Sequence, residues 1–161
     1  MKVITAPETL DDLSSPSVFL AGSIEGDRAS RWQDWVISCL GPFPGTLVNP
    51  RRKVWCPEHS TYRHPELIRQ IQWELEALTS VDYVFMYFDP DTISPISLLE
   101  QGWFGFTKGP GRMFVVCPPT YFRATNVEQF CEMIDIKVHP SFEDGLQSLV
   151  DLLLQPAGVT T

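Results

Sequence analysis

Asp82-Tyr-Val-Phe-Met-Tyr-Phe88 is the stretch that decides the fold. After Asp82 it carries no charge, and apolar or aromatic side chains follow one another without a polar break. A strand that faces water on one side alternates, whereas a strand covered on both sides reads as a continuous apolar run. Such strands belong to parallel sheets packed between helices. Both flanks read as helices. Upstream, Pro65 stands at the tolerated first position of a helix, with Leu67, Ile68, Ile71, Leu75 and Leu78 as its apolar stripe. Downstream, Asp89-Pro-Asp-Thr-Ile-Ser-Pro95 reads as a loop. Ser94 and Pro95 then make an N-cap and N1 pair for a helix from Pro95 to about Thr107, which Lys108-Gly-Pro-Gly-Arg112 ends.

The alternation repeats further out. Ser17-Val-Phe-Leu-Ala21 is a short strand closed by Gly22. Arg28 to Leu40 sets Trp32, Trp35, Val36, Cys39 and Leu40 at helical spacing, behind Asp27 or Ser30 as a start signal, and places both tryptophans in the core. Thr46-Leu-Val-Asn49 and Met113-Phe-Val-Val-Cys117 are strands, Asn126 to Ile134 a helix, Ile136-Lys-Val138 a strand and Phe142 to Leu154 a closing helix. Gln155 to Thr161 reads as a frayed tail. Strands alternating with helices specify an α/β fold: a flavodoxin-like, doubly wound, parallel five-stranded sheet with helices on both faces and strand order 2-1-3-4-5. The length fits a single domain over residues 1–161, with its core at about 17–154.

Composition narrows the function classes. With 43% hydrophobic and 20% charged residues, the chain is not of the disordered type. No apolar run approaches the roughly 18 residues of a membrane span. Met1 to Pro16 has no apolar export segment, so a cytoplasmic location is expected, with Cys39, Cys56, Cys117 and Cys131 as buried, reduced thiols. Twelve basic residues against twenty acidic ones give a net charge of −8. That balance argues against nucleic acid as a partner, because such binding runs on Lys and Arg neutralising phosphates. Cys56, His59 and His64 lie close in sequence, but at a spacing that fits no common zinc pattern, so no metal is expected.

In this architecture ligands bind outside the carboxyl ends of the strands, near the switch point. Three loops should converge there: Gly22 to Asp27, Asn49 to Trp55, and Asp89 to Pro95. No Walker loop, GxGxxG or GxSxG elbow is present. The strand ends offer carboxylates instead. Glu100 lies a turn and a half into the helix after Pro95, among Leu98, Leu99, Gly102 and Trp103, where an acid is costly to bury without a role or a partner. Glu74 stands on the preceding helix beside Trp73. Two carboxylates facing one cleft suit glycosidic cleavage: one attacks the anomeric carbon, the other manages a proton on the leaving group. Taken singly, each reads equally as a solvated helix acid. Arg51 and Arg52, with Lys53 and Arg63, form a basic island that could grip a phosphate, or be a solvated loop with an Arg paired to Glu58 or Glu66. Trp55 and Trp73 are candidates for stacking on a base. Asn49 and Gln70 could orient hydroxyls or a base edge, or be a turn Asn and an exposed Gln. Asn126 could serve a site or cap its helix.

Five blocks in order resemble the nucleoside 2-deoxyribosyltransferase-like family: Val18-Phe-Leu-Ala-Gly-Ser-Ile24, Asn49-Pro-Arg-Arg52, Gln70-Ile-Gln-Trp-Glu74, Asp82 to Phe88, and Ser94-Pro-Ile-Ser-Leu-Leu-Glu-Gln-Gly102. Cys117-Pro-Pro, Phe122-Arg and Asn126-Val fit its later segment. The resemblance implies an enzyme that cleaves the N-glycosidic bond of a (deoxy)nucleoside and transfers the sugar to another base. It makes Glu100 the nucleophile, which forms a glutamyl-ribosyl ester, and Glu74 the acid that meets the base. Gly22 and Ser23 would line the sugar pocket, with Asn49, Arg51, Arg52, Trp55, Gln70, Trp73, Asp89, Ser94 and Asn126 as further substrate contacts. The partners implied are a nucleoside or nucleotide, a free nucleobase, and a second copy of the chain in a homodimer or higher homo-oligomer, through Trp103-Phe-Gly-Phe106. Neither a metal nor an organic cofactor is needed. The sequence departs from the resemblance at Phe19, where a Tyr often hydrogen-bonds the nucleophile, and at Thr92 and Ser94, where an Asp often meets the base. Related branches hydrolyse nucleotides, so an N-glycosidase acting on nucleosides or their 5′-monophosphates, or a silent nucleotide-binding module, is the alternative.

Overall fold

The computed structural model describes residues 1–154; the tail expected over Gln155 to Thr161 lies outside the described residues. The chain runs β1 (Lys2–Thr5), β2 (Ser17–Gly22), α1 (Trp32–Cys39), β3 (Thr46–Asn49), α2 (Pro65–Ser80), β4 (Tyr83–Tyr87), α3 (Pro95–Lys108), β5 (Met113–Val116), α4 (Ala124–Met133), β6 (Val138–His139) and α5 (Phe142–Leu154). The strands form one sheet in the order β1-β3-β2-β4-β5-β6. All pairings are parallel. This is the doubly wound order expected, extended by one strand.

The sheet therefore has six strands, not five. β1 escaped the sequence reading because it is a four-residue edge strand whose first residue is exposed. Its partner is β3, with Lys2 opposite Thr46 and Thr5 opposite Asn49, far along the chain. Nothing local marks such a strand.

The central strands are apolar throughout because each side chain meets a helix whichever way it points. In β2, Phe19 and Ala21 join the cluster under α2, α3 and α4, while Val18 and Leu20 join the cluster under α1 and α5. In β4, Val84 and Met86 face the first group and Phe85 the second. That is period-2 alternation between two buried faces. No helix among the described residues is long and apolar enough to cross a membrane.

Several element boundaries moved. The helix expected from Arg28 begins at Trp32, with no side-chain cap from Asp27 or Ser30. The carbonyls of Ala29 and Ser30 are turned to Arg51, and Ser30 gives its N–H and hydroxyl to Asp89, so this stretch is bound sideways rather than along a helix axis. Trp32, Val36 and Leu40 form the buried row of that turn. Trp35 lies off the row and is 63% exposed, contrary to the core position expected. α4 begins at Ala124, with Arg123 at its N-cap, so Asn126 is not the cap. Ile136 is buried just before a final strand shorter and later than expected, Val138–His139. Of the cysteines, Cys117 and Cys131 are buried, Cys56 is partly so and Cys39 is exposed.

Candidate active site

The chain winds one way from β2 to β3 and the other way from β3 to β4, so the carboxyl ends of β2 and β4 diverge into a crevice. A cavity of about 420 Å³ opens there. All three loops named above reach it. Gly22 through Asp27 supply one wall, Pro50 to Trp55 a second, and Ser94 to Ser97, the first turn of α3, a third. α2 closes the back with Leu67, Gln70, Ile71 and Glu74, and Glu100 projects from α3.

Gly22 must be glycine. Its φ is +129°, and a Cβ there would sit 2.2 Å from the Tyr87 carbonyl oxygen. The close approach is to the neighbouring strand end. Ser23, next along, is buried behind the wall rather than on it. Its hydroxyl accepts from the Asp89 N–H at 2.9 Å and meets the hydroxyls of Thr92 and Ser94. Ser94 occupies the N-cap position of α3 with left-handed backbone (φ 43°), and its hydroxyl turns inward to this cluster instead of capping. Glu25, which sequence reading passed over, instead binds the backbone that leads into the helix. One oxygen of its carboxylate accepts the backbone N–H groups of Ile93, at 2.8 Å, and Ser94.

The two arginines have different fates. Arg51 is buried, and its guanidinium is fully committed. Nε and Nη2 donate to Asp27, Nη2 also to Ala29 O, and Nη1 to Ser30 O and Gln33. Five N–H groups meet five bonds. Neighbouring Arg52 donates to Gln70 and, at 3.0 Å, to Glu66, and lies over the Trp55 ring at 5.2 Å. Its Nη2 is buried without a partner. Neither belongs to a solvated loop, although Arg52 does take Glu66 as an ion-pair partner.

Gln70 links the walls: its amide nitrogen donates to Pro50 O at 2.9 Å and to Glu74 at 2.8 Å. Burial pushes the Glu74 carboxyl above the ordinary carboxylate range, against the opposing pull of Gln70 and Arg52. Burial, reinforced by Glu74 itself, raises Glu100 to about 8. No donor among the described residues reaches the Glu100 carboxyl, and none could come from Phe19, which is buried 6.4 Å from the Trp73 ring. Two acids in one cavity, each destabilised as an anion, form a pair that gives up its protons less readily than ordinary carboxyls do.

Other expected contacts stand off the cavity. Trp73 is in the core, its Nε1–H donating to Glu8 O. Asn49 turns its side-chain oxygen to the Arg51 N–H, an Asx turn at the strand end. Asp89 is spent on Ser30 and on the Asp91 N–H. Asn126 is exposed on α4, away from the cavity wall. Conversely, Ile24, Ile71, Ile96 and Ser97 border the cavity without having been singled out. The loop carrying Ile24 was legible, but which residues turn inward was not.

A parallel doubly wound sheet with paired acids at its switch-point crevice defines a class: α/β proteins that take a small ligand at the strand ends. Comparison with known families matches residues 15–121 to the one described as Nucleoside 2-deoxyribosyltransferase like. The match spans most of the chain and all the cavity walls, and the chain belongs to that family. No curated protein matches the chain closely enough to stand as a relative.

Proposed function

We propose that the protein cleaves the N-glycosidic bond of a (deoxy)nucleoside and transfers the sugar to a second base through a covalent ester on Glu100. The observation that carries this reading is Glu100 itself: a half-buried carboxyl with no hydrogen-bond donor among the described residues, facing a cavity of about 420 Å³ beside a second half-buried acid. A carboxylate held by donors is a poor nucleophile. One left unpartnered in a desolvated wall is a reactive one.

The chemistry balances on one proton shared by the pair. With Glu100 ionised and Glu74 protonated, a Glu100 oxygen bonds to C1′ as the C1′–N bond breaks. The bond electrons leave with the base nitrogen, which takes the Glu74 proton. A second base reverses the steps. Its ring N–H returns a proton to Glu74, its nitrogen bonds to C1′, and Glu100 leaves as carboxylate. Gln70 holds Glu74 in place through its amide. Trp55, with the Arg52 guanidinium over one side of its ring, offers its indole to the base.

Hydrolysis is the same first half with water as acceptor. Ile71 and Ile96 on the cavity rim are exposed, which favours water entry in an isolated chain. They continue into Leu99, Trp103 and Phe106 along α3, also exposed. A second copy of the chain over this apolar stripe would shut the rim and favour transfer.

The test is a chromatographic assay of purified protein with a panel of nucleosides, with and without a second free base, beside Glu100→Ala. Transfer predicts new nucleoside only when the second base is present. Free base without acceptor makes the protein a hydrolase. No product from any nucleoside by a folded protein sinks the enzymatic reading and leaves the binding module.

A further inference from the structure

We propose that Glu25 is a specificity-determining residue that sets the cavity against a 5′-phosphate, so that the protein takes uncharged nucleosides and rejects their monophosphates. This rests on the nucleoside reading above and refines it. In a crevice of this kind, an anion has two natural holds: the N-terminus of a helix and an arginine fork. Both border this cavity: the Glu25 carboxylate stands at the first, and most of the arginine N–H groups are engaged within the chain.

The helix hold belongs to α3, whose first turn borders the cavity. A carboxylate oxygen of Glu25 already accepts the Ile93 and Ser94 N–H groups at that end. Getting it there takes unusual backbone. Glu25, Gly26 and Asp27 are left-handed in succession, at φ 42°, 58° and 73°. Left-handed backbone at two non-glycine residues is held only where surrounding bonds impose it. Here the loop is pinned at both ends, by Glu25 on α3 and by Asp27 on Arg51 at 2.8 Å.

The arginine hold is largely taken. Arg51 has no N–H to spare, and Arg52 donates to Glu66 and Gln70, keeping one buried nitrogen, Nη2, without a partner. Asp27 is neutralised by Arg51. Glu74 and Glu100 are shifted toward their neutral forms. Glu25 borders the cavity with no ion-pair partner among the described residues. A phosphate entering near α3 would meet that charge at short range, in a partly desolvated wall where like charges are poorly screened.

The experiment compares kcat/KM for a nucleoside with that for its 5′-monophosphate, in wild type, Glu25→Gln and Glu25→Asp. The ratio is the readout, so a general loss of activity cancels. Wild type is expected to prefer the nucleoside at least about tenfold, Glu25→Gln to lose most of that preference through a lower KM for the monophosphate, and Glu25→Asp to keep it. A wild type that takes the monophosphate as well as the nucleoside overturns the proposal, as does an unchanged ratio in Glu25→Gln. Should Glu25→Gln fail to fold, inorganic phosphate decides with wild type alone, since competition with the nucleoside overturns the proposal and its absence supports it. If neither substrate turns over, the enzymatic reading has failed. Inorganic phosphate binding by calorimetry then judges Glu25 separately: binding to wild type overturns the proposal, and binding gained only in Glu25→Gln supports it.

Discussion

Asp82 and Glu100 stand at opposite ends of one sheet and teach what a buried acid needs. Asp82 precedes β4 at the amino edge. Its carboxylate accepts the Ser15 hydroxyl at 2.7 Å and both the N–H and the hydroxyl of Ser17 at 2.9 Å. Burial pushes its pKa up, but those donors outweigh it and the net shift is downward. Glu100 faces the cavity at the carboxyl edge. It is half-buried, has no donor among the described residues and has Glu74 for a neighbour, and desolvation lifts it to about 8. Both acids belong to the same fold and both are partly hidden from water. What separates a structural acid from a reactive one here is the supply of N–H and O–H groups.

The sharpest way to break this contrast is to remove each acid. Glu100→Ala should cost about 10³-fold or more in kcat, as loss of a covalent nucleophile does, with little loss of fold by circular dichroism. A variant retaining a tenth of the activity would remove Glu100 from the reaction.

The next effect is on the proton. Glu74→Gln should lower kcat about 10–100-fold. It should also remove the alkaline limb of kcat/KM, because an amide has no proton to lose there. Burial, the larger cause of the Glu100 shift, remains, so the acid limb stays above the ordinary carboxylate range. In wild type the profile should be bell-shaped: both acids protonated leaves no nucleophile, and both ionised leaves no proton donor. An alkaline limb that persists in Glu74→Gln separates the two acids.

Asp82→Ala should leave kcat alone and cost about 1–3 kcal/mol in urea unfolding, the penalty for donors stripped of their acceptor. Its folded pKa is lowered from 3.8, so its stabilisation is present above that value and is lost as pH falls through the folded pKa. Mutant and wild type should therefore converge in acid. Equal stability at neutral pH would show the Ser15 and Ser17 bonds to be idle.

The smallest effect has the opposite sign. A carboxyl whose folded pKa is raised binds more protons folded than unfolded, so wild-type stability falls as pH rises from about 4.5 to about 8. Glu100→Gln removes that slope. It should raise Tm at pH 8 by about 2–4 °C, roughly 1 kcal/mol for a chain of this size, with the gain fading toward pH 5. A gain that is constant across pH would mean that Glu100 is not a desolvated acid.

Legibility in the sequence followed the range of the forces involved. Asp82 to Phe88 reads as a doubly covered strand because each residue carries the mark of its own surroundings, and the α2 and α3 stripes read as helices for the same reason. The three strand-end loops followed from topology, and the structure brings all three to one cavity. β1 was invisible because a four-residue edge strand has no local mark. Trp73 beside Glu74 read as a pocket face, but a helix turns about 100° per residue, and adjacent positions point apart.

The sequence by itself determined the α/β class, the strand order around β2 and the two acids on α2 and α3. Periodicity and spacing are written within windows of a few residues. Only the tertiary structure decided which acids would be satisfied, which arginine would be consumed, and that Glu25 would occupy the head of α3. Those outcomes turn on single hydrogen bonds between partners as distant as Asp82 and Ser15, Arg51 and Asp27, or Glu25 and Ile93. A hydrogen bond ends within about 3 Å, and no pattern along the chain says which distant donor will stand that close.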